Sequence, residues 1–212
     1  VDHSQHGFFT ESFIDEIAVA AGKDPYEYRA GLLGNHPRHL AVLEKVAEQA
    51  QWSRPLAQGR GRGISVQESF GTVVAQVVEV TIVDGELSVD RVVAVIDAGF
   101  AISPDGITAQ VESAIIYGLT AALHGEITIE NGAVAQSNFH DYEAVRMDTA
   151  PKIETHIINS GHAIGGAGEP GTPGIAPALA NAVFDATGIR VRNLPLNQFN
   201  LRFGVEDAGV VG

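Results

Sequence analysis

Two valine-rich segments, separated by a short turn signal, constrain the fold of this chain more than any other part of its sequence. They are "TVVAQVVEVTI" (72–82) and "LSVDRVVAVID" (87–97), and β-branched residues dominate both. Such residues favour extended backbone because their side chains fit a pleated surface. The "VDGE" between the segments contains Asp84-Gly85, a pair that suits a tight hairpin turn. The sequence therefore predicts a long antiparallel β-hairpin.

Three helical patterns come before this hairpin. Residues 8–21 show an apolar stripe with helical spacing, and a second helix begins with Asp24 as its N-cap and Pro25 at its first position. A third helix is predicted over roughly 38–50. The stripe of the first helix consists of Phe9, Phe13, Ile17 and Ala20. The inward residues of the third helix are predicted to be Leu40, Leu43, Val46, Ala47 and Ala50.

Four further elements are predicted after the hairpin. They are a helix over 103–125, a second hairpin over 126–136 with an Asn-Gly turn, a strand over 152–159 and a helix over 175–188. The apolar face of the 103–125 helix is predicted to contain Ile107, Val111, Ala114, Ile115, Leu119 and Ala122. A helical start followed by hairpins and helices indicates an α+β fold.

The change from helical to strand patterning also predicts how the chain is divided. Residues 1–52 form a helical segment, and residues 64–212 form an α+β portion. Between them, "SRPLAQGRGRG" (53–63) is rich in glycine and arginine, which is typical of a flexible linker.

The composition limits which classes of function remain open. The chain has 212 residues, 45% of them hydrophobic, and no apolar run approaches the roughly 20 residues that span a bilayer. Its formal net charge of −13 disfavours nucleic acid and anionic membranes as partners. It has no cysteine, so redox chemistry requires a bound cofactor or a partner protein. Because the single methionine is Met147, we expect residue 1 to be a processing site or a cut within a longer chain.

The segment "GGAGEPGTPGIAP" (165–177) surrounds one ionisable side chain, Glu169, with glycines and prolines. The residues that control its backbone are Gly165, Gly166, Gly168, Pro170 and Pro173. The glycines permit positive φ and close approach, while the prolines stiffen the exit into the next helix. A carboxylate just before a helix N-terminus is stabilised in its ionised form, which suits a general base. The alternative is that Glu169 caps the helix and the glycines form a turn.

Other candidate residues carry weaker signals. Gln110 can both donate and accept hydrogen bonds to a heterocyclic ligand, or it is an ordinary exposed helix residue. The histidine pairs lack further ligands at a recognisable spacing, so no metal site is predicted within the chain. These pairs are His3/His6 and His36/His39. "GRGRG" (59–63) is a weak phosphate-loop candidate, and a hydrolase that uses Glu169 with His162 lacks a nucleophile or metal signature.

Several of these segments together resemble the molybdenum hydroxylases, the family of xanthine dehydrogenase and aldehyde oxidase. The Glu169 segment carries the family's G-E-P sequence, and "VVAVIDAGFAISPDGITAQVESAIIYGL" (92–119) is similar to its strand–loop–helix segment. The likeness extends over nearly the whole chain and is strongest to the isoquinoline 1-oxidoreductase β subunit and related molybdopterin-binding aldehyde dehydrogenase subunits. Gly174 stands where the family usually has proline. Because the family's molybdenum-binding chain is several times longer, this chain resembles its C-terminal portion.

The resemblance implies a fold, a cofactor and a reaction. It implies an α+β fold of the aldehyde oxidase and xanthine dehydrogenase type, with molybdenum–molybdopterin bound, the cytosine dinucleotide form being favoured. Gln110 matches a glutamine that hydrogen-bonds the pterin, and the backbone of Gly168 is expected to approach the cofactor. In this family the glutamate that matches Glu169 acts as general base on a molybdenum-bound hydroxyl. The water-derived oxygen attacks a carbon of an aldehyde or an N-heterocycle while hydride passes to Mo=S.

The resemblance also implies partners. These are the remainder of the molybdenum-binding subunit, an iron–sulfur subunit with 2Fe–2S clusters, and a cytochrome c as electron acceptor. A bacterial periplasmic location is favoured, with the cytoplasm as the alternative, and no membrane insertion is expected. The alternative function is a non-catalytic structural or binding module of the same fold, inert without its partner chains.

Overall fold

The computed structural model describes residues 2–196, and within them the chain folds into helices packed on both faces of a mixed sheet. The helices are α1 (Asp2–Ala20), α2 (Pro25–Leu32), α3 (Pro37–Gln49), α4 (Pro104–Leu123) and α5 (Ile175–Thr187). The strands are β1 (Arg60–Ser69), β2 (Thr72–Val83), β3 (Glu86–Asp97), β4 (Ile129–Glu130), β5 (Ala133–Val134) and β6 (Lys152–Ile158). The predicted α+β class is confirmed. Within residues 2–196, no helix combines the length and apolarity needed to cross a membrane.

The main sheet has the strand order β1-β2-β3-β6, with β1, β2 and β3 antiparallel and β6 parallel to β3. Two-residue turns, Phe70-Gly71 and Asp84-Gly85, join the three antiparallel strands. All four turn residues have positive φ, which is the conformation that matches the twist of a β-hairpin. The hairpin predicted at Asp84-Gly85 is therefore confirmed.

Both faces of the sheet are buried, which explains why β2 is an almost continuous run of valine. Val73 and Val77 belong to a core that includes Leu43 of α3. Val74 and Val78 point to the opposite face and belong to a core built with α4 and α5. A strand covered on both faces has no polar side to show in its sequence.

The elements after the central hairpin largely follow the sequence prediction. All six residues predicted for the inner face of α4 are buried. In the second hairpin, Asn131 and Gly132 have positive φ as predicted, but β4 and β5 are only two residues each and are exposed. The strand predicted over 152–159 and the helix predicted over 175–188 correspond to β6 and α5.

The first strand, β1, includes residues 60–63, which the sequence pattern assigned to the linker. Its glycines face α5: a Cβ on Gly61 would lie 2.1 Å from the Ala182 carbonyl oxygen, and one on Gly63 would lie 2.1 Å from the Ala178 carbonyl oxygen. The glycines therefore allow α5 to approach the sheet backbone, a role that the "GRGRG" pattern hides. The division of the chain into 1–52, 53–63 and 64–212 as domains stays a prediction.

The arginines of this region are held by one buried carboxylate. Glu79 of β2 is 2% exposed and lies 3.1 Å from an Arg54 guanidinium nitrogen, 3.4 Å from Arg60 and 3.2 Å from Arg62. Arg91 of β3 also contacts Glu79, at 3.4 Å. These pairs anchor the basic segment to the sheet, so its arginines have a structural role where the sequence pattern predicts flexibility.

Replacing Gly63 with alanine should lower the free energy of unfolding by about 2–3 kcal/mol, because the new methyl group overlaps the backbone of α5. Gly31→Ala is the matched control, since no heavy atom lies within 4 Å of its Cβ position and alanine favours the helix. Urea unfolding followed by the fluorescence of Trp52, the single tryptophan, measures both variants. Equal stabilities for the two variants would contradict the tight packing.

The buried face of α1 differs from the predicted stripe. Phe9 and Phe13 are each 62% exposed. The buried residues of α1 are Gly7, Phe8, Glu11, Asp15 and Ala18. Arg29 of α2 explains the difference, because its guanidinium lies 2.8 Å from Glu11 and 3.5 Å from Asp15. Paired charges can be buried where isolated ones cannot, so two carboxylates face inward and two phenylalanines face outward.

Candidate functional site

The segment 165–174, called the Glu169 loop below, lies between two other loops at one end of the sheet. The N–H of Gly165 donates to the Ala98 carbonyl oxygen at 3.0 Å, next to the end of β3. The N–H of Gly166 donates to the Phe70 carbonyl oxygen at 2.9 Å, in the β1–β2 turn. These two bonds fix the start of the loop to neighbouring elements far away in sequence.

The glycines of the loop serve close packing rather than positive φ. None of the predicted three, Gly165, Gly166 or Gly168, has a positive φ, so that part of the prediction is wrong. A Cβ on Gly165 would lie 2.3 Å from the Thr72 hydroxyl oxygen, and one on Gly166 would lie 2.9 Å from the Phe70 Cβ. Gly168 is different, because no heavy atom lies within 4 Å of its Cβ position. The loop thus rests on the β1–β2 turn and leaves open space beside Gly168.

Three side chains of the sheet bind carbonyl oxygens of the loop. The Thr72 hydroxyl donates to Gly166 at 2.6 Å. The Gln76 amide donates to Gly171 at 2.7 Å, and the Ser65 hydroxyl donates to Gly174 at 2.7 Å. Sequence reasoning missed these contacts, although Thr72 and Gln76 are polar residues in a mostly apolar strand. That irregularity is the signal that could have identified them.

Glu169 itself is exposed on this fixed backbone. Its carbonyl oxygen accepts a hydrogen bond from the Thr172 N–H at 2.9 Å. Among residues 2–196, no side-chain hydrogen bond or salt bridge engages its carboxylate. The N-cap of α5 is Gly174, and no side chain makes a capping hydrogen bond there. Glu169 therefore does not cap that helix. Contrary to the expectation from the sequence, it also does not lie directly at the N-terminus of the helix. Its carboxylate is therefore exposed and unpartnered within the described part of the chain.

The helix that carries Gln110 lies beside the Glu169 loop. A Cβ on Gly171 would lie 3.0 Å from Ala114 Cβ and 3.3 Å from the Val111 carbonyl oxygen, so the loop packs on the first half of α4. Gln110 precedes Val111 and is exposed. Its amide has no hydrogen-bond partner within the described part of the chain. The structure thus brings α4 and the Glu169 loop together, with Gln110 and Glu169 both exposed.

An ion pair ties together the elements that flank the loop. Arg38 of α3 donates to both Asp97 Oδ2 at 2.8 Å and the Asp97 carbonyl oxygen at 2.7 Å. It also donates to the carbonyl oxygen of Gly71 at 3.0 Å, in the β1–β2 turn. The second carboxylate oxygen of Asp97 accepts from the Gly99 N–H and the Ser160 hydroxyl, each at 2.8 Å. This network joins four chain segments: α3, the β1–β2 turn, the end of β3 and Ser160, which follows β6.

Burial alone would raise the pKa of Asp97, but the hydrogen bonds from Arg38, Gly99 and Ser160 together hold that pKa below its ordinary value of 3.8. A carboxyl whose pKa is lowered by folding stabilises the fold above its ordinary pKa, and this contribution disappears as the pH falls through the lower, folded value. Asp97→Asn should therefore reduce the loss of stability on acidification. Urea unfolding at a series of pH values between about 2 and 6 measures this loss in the variant and the wild type. An equal loss of stability at low pH in both proteins would contradict the prediction.

The surface beside the loop is apolar as well as polar. Phe70, Phe100 and Ile164 are 54%, 56% and 61% exposed. Exposed apolar groups that surround unpartnered polar ones are typical of a surface that binds a ligand or another part of a protein. Glu169 and Gln110 thus present a carboxylate and an amide to solvent, and Gly168 leaves open space on the loop.

The histidines form no alternative centre. The rings of His36 and His39 lie 5.8 Å apart, and His39 Nε2 lies 3.0 Å from Glu68. Burial lowers the pKa of His39, an effect that Glu68 partly opposes. Within residues 2–196, no group of three or more histidine or carboxylate side chains could hold a metal ion. His162 is exposed.

Comparison with known proteins identifies the family that this chain resembles. A family model described as the molybdopterin cofactor-binding domain matches residues 21–151. The chain is 36% identical over 198 residues to the isoquinoline 1-oxidoreductase β subunit of Brevundimonas diminuta, covering 91% of this chain and 25% of the relative. It is 35% identical over 224 residues to one of the subunits of nicotinate dehydrogenase from Pseudomonas putida, covering 96% and 19%. The chain thus spans about a quarter or less of these relatives.

Solved structures show the same fold. The aldehyde oxidoreductase of Desulfovibrio desulfuricans superposes with a TM-score of 0.71 at 14% identity, covering 89% of this chain and 39% of that one. The aldehyde oxidoreductase of Desulfovibrio gigas gives a TM-score of 0.68 at 13% identity, covering 91% and 40%. These likenesses confirm the predicted type of fold.

Proposed function

Because this chain belongs to the molybdenum hydroxylase family, we propose that it forms part of the molybdopterin-binding subunit of an oxidoreductase that acts on an aldehyde or an N-heterocycle. Two observations support this proposal: the relatives are named for such substrates, and the chain carries an exposed carboxylate on a fixed loop. The exposed carboxylate is the observation on which the catalytic role depends.

Glu169 is the general base of the proposed reaction. The molybdenum cofactor, when bound, supplies the two-electron oxidation of the substrate. Glu169 accepts a proton from the water-derived oxygen as that oxygen forms its bond to the substrate carbon. A general base needs to lie within hydrogen-bond reach of the proton that it removes, and a fixed backbone makes that geometry reproducible.

Gln110 and Gly168 bind the pterin part of the cofactor in this proposal. The Gln110 amide has both a donor and an acceptor, which suits the alternating donors and acceptors at the edge of a pterin. The open space beside Gly168 allows the cofactor to approach the loop backbone, where a side chain would limit the approach. We propose the cytosine dinucleotide form of the cofactor on the family likeness alone.

The electrons have to leave through other proteins or other parts of the same protein. The chain contains no cysteine, the usual ligand of iron–sulfur clusters. We propose that 2Fe–2S clusters on a partner subunit receive the electrons and that a cytochrome c accepts them. A bacterial periplasmic location fits such an acceptor, with the cytoplasm as the alternative.

Purification of the chain together with the proteins that associate with it tests this function. The proposal predicts molybdenum by elemental analysis, an oxidised pterin by fluorescence, a visible iron–sulfur spectrum, and oxidation of at least one aldehyde or N-heterocycle. A colourless, metal-free preparation in which the chain has its full complement of partners would contradict the proposal and favour a structural module.

A further inference from the structure

The contacts beneath the Glu169 loop indicate how its carboxylate is aimed. Ser65, Thr72 and Gln76 lie on the face of β1 and β2 that contacts the loop, and each is completely buried. Ser65 and Gln76 are direct partners in the β1–β2 register. Buried polar side chains destabilise a fold unless they are hydrogen-bonded, and each of these three binds a carbonyl oxygen of the loop.

The bound carbonyls lie on both sides of Glu169 in the chain. Thr72 binds the loop before Glu169, at Gly166, and Gln76 binds it after, at Gly171. Carbonyl oxygens of a surface loop ordinarily face water, where they leave the backbone free to move. Here both ends of the short segment that carries Glu169 are tied to one rigid sheet.

The loop glycines and the sheet side chains also match in shape. A Cβ on Gly165 would lie 2.3 Å from the Thr72 hydroxyl. A Cβ on Gly174 would lie 2.9 Å from both the Ser65 hydroxyl oxygen and Gln76 Oε1. Glycine at both loop positions therefore allows the backbone to reach the polar side chains.

The amide oxygen of Gln76 lowers the stability of the fold, because it is buried without a hydrogen bond in the described part of the chain. Its Oε1 is buried and has no hydrogen-bond partner within residues 2–196. The neighbouring positions of β2 are filled by valine and alanine, which carry no such cost. The hydrogen bond that Gln76 does make is to the Gly171 carbonyl oxygen of the Glu169 loop.

We propose that Thr72 and Gln76, supported by Ser65, are positioning residues that orient Glu169 by fixing the loop backbone on both sides of it. The proposal rests on the proposed function, in which Glu169 is the general base. Loss of one hydrogen bond lets the Glu169 segment move away from the geometry of proton transfer, so turnover falls while substrate binding is retained.

Thr72→Val and Thr72→Ser in the assembled, molybdenum-loaded protein form the central pair of variants. Valine keeps the shape and removes the hydroxyl, whereas serine keeps the hydroxyl. Thr72→Val should lower kcat by about 10- to 100-fold with KM and molybdenum content unchanged. Thr72→Ser should restore kcat to within about threefold of the wild-type value. Gln76→Met should act like Thr72→Val.

Hydrogen exchange supplies a readout that does not depend on activity. The amides of Gly165 and Gly166 are hydrogen-bonded, and Thr72→Val should increase their exchange rates. Thr155→Val is the matched control, because the Thr155 hydroxyl of β6 is buried without a hydrogen-bond partner in the described residues. Thr155→Val should leave both the loop exchange and kcat unchanged.

The outcomes separate this inference from the function on which it rests. Wild-type kcat and loop exchange in both Thr72→Val and Gln76→Met would overturn the inference, as would equal impairment of Thr72→Val and Thr72→Ser. If Glu169→Gln is inactive while the positioning variants behave like wild type, only the inference fails. If Glu169→Gln retains full turnover, the proposed role of Glu169 fails, whatever the exchange of the loop amides.

Discussion

Glu169→Gln should reduce kcat of the assembled protein by about 100- to 10,000-fold, which is the usual contribution of a positioned general base. Glutamine has nearly the same shape as glutamate but cannot accept the proton. The exposed carboxylate has no hydrogen bond or ion pair within residues 2–196, so its loss should leave folding and molybdenum content unchanged. Steady-state kinetics together with elemental analysis of the same preparation measure both expectations.

Glu130→Gln provides the control for that experiment. Glu130 is exposed in β4, a strand of the small second sheet, and the same substitution there should leave kcat unchanged. Turnover of Glu169→Gln within a few-fold of the wild-type value, with the cofactor bound, would remove Glu169 from the proposed chemistry. Loss of molybdenum from that variant would instead assign Glu169 a part in holding the cofactor.

Arg29→Met should lower the free energy of unfolding by about 3–5 kcal/mol, the cost of removing one partner of a buried ion pair. Arg29 is 2% exposed, and its side chain donates to Glu11 and Asp15 and to the Glu11 carbonyl oxygen. Its loss leaves the Glu11 carboxylate buried without its cation. Because Glu11 also accepts the Val66 N–H, the contact between α1 and β1 should weaken as well.

Arg192→Met is the matched control for Arg29→Met. Arg192 pairs with Glu16 at 2.7 Å, but its side chain is 66% exposed. Exposed ion pairs contribute about 0–1 kcal/mol, so this variant should unfold close to wild type in urea. Similar stability losses for the two variants would contradict the account of a buried ion pair that fixes the face of α1.

The turns and the inner face of α4 could be predicted because local chemistry determines them. Asp84-Gly85 and Asn131-Gly132 adopt positive φ for reasons contained within each pair of residues. The six buried residues of α4 follow from helical spacing, since no ion pair competes for that face.

The features that the sequence did not predict depend on contacts between residues far apart in sequence. The inward face of α1 depends on Arg29, and the glycines of β1 depend on the closeness of α5. The fixation of the Glu169 loop depends on the β1–β2 register, which places Ser65 beside Gln76. The spacing of residues along the chain carries no information about these contacts. The Glu169 loop could therefore be recognised from the sequence as a candidate site, but the side chains that support it could not.

The position of molybdenum in crystals of the assembled protein tests whether the cofactor binds against the Glu169 loop. Anomalous diffraction measured at the molybdenum absorption edge locates the metal without any assumption about the cofactor. We expect a molybdenum peak against the Glu169 loop, with Glu169 the nearest carboxylate among residues 2–196. A peak elsewhere, with Glu169 turned to solvent, would contradict it.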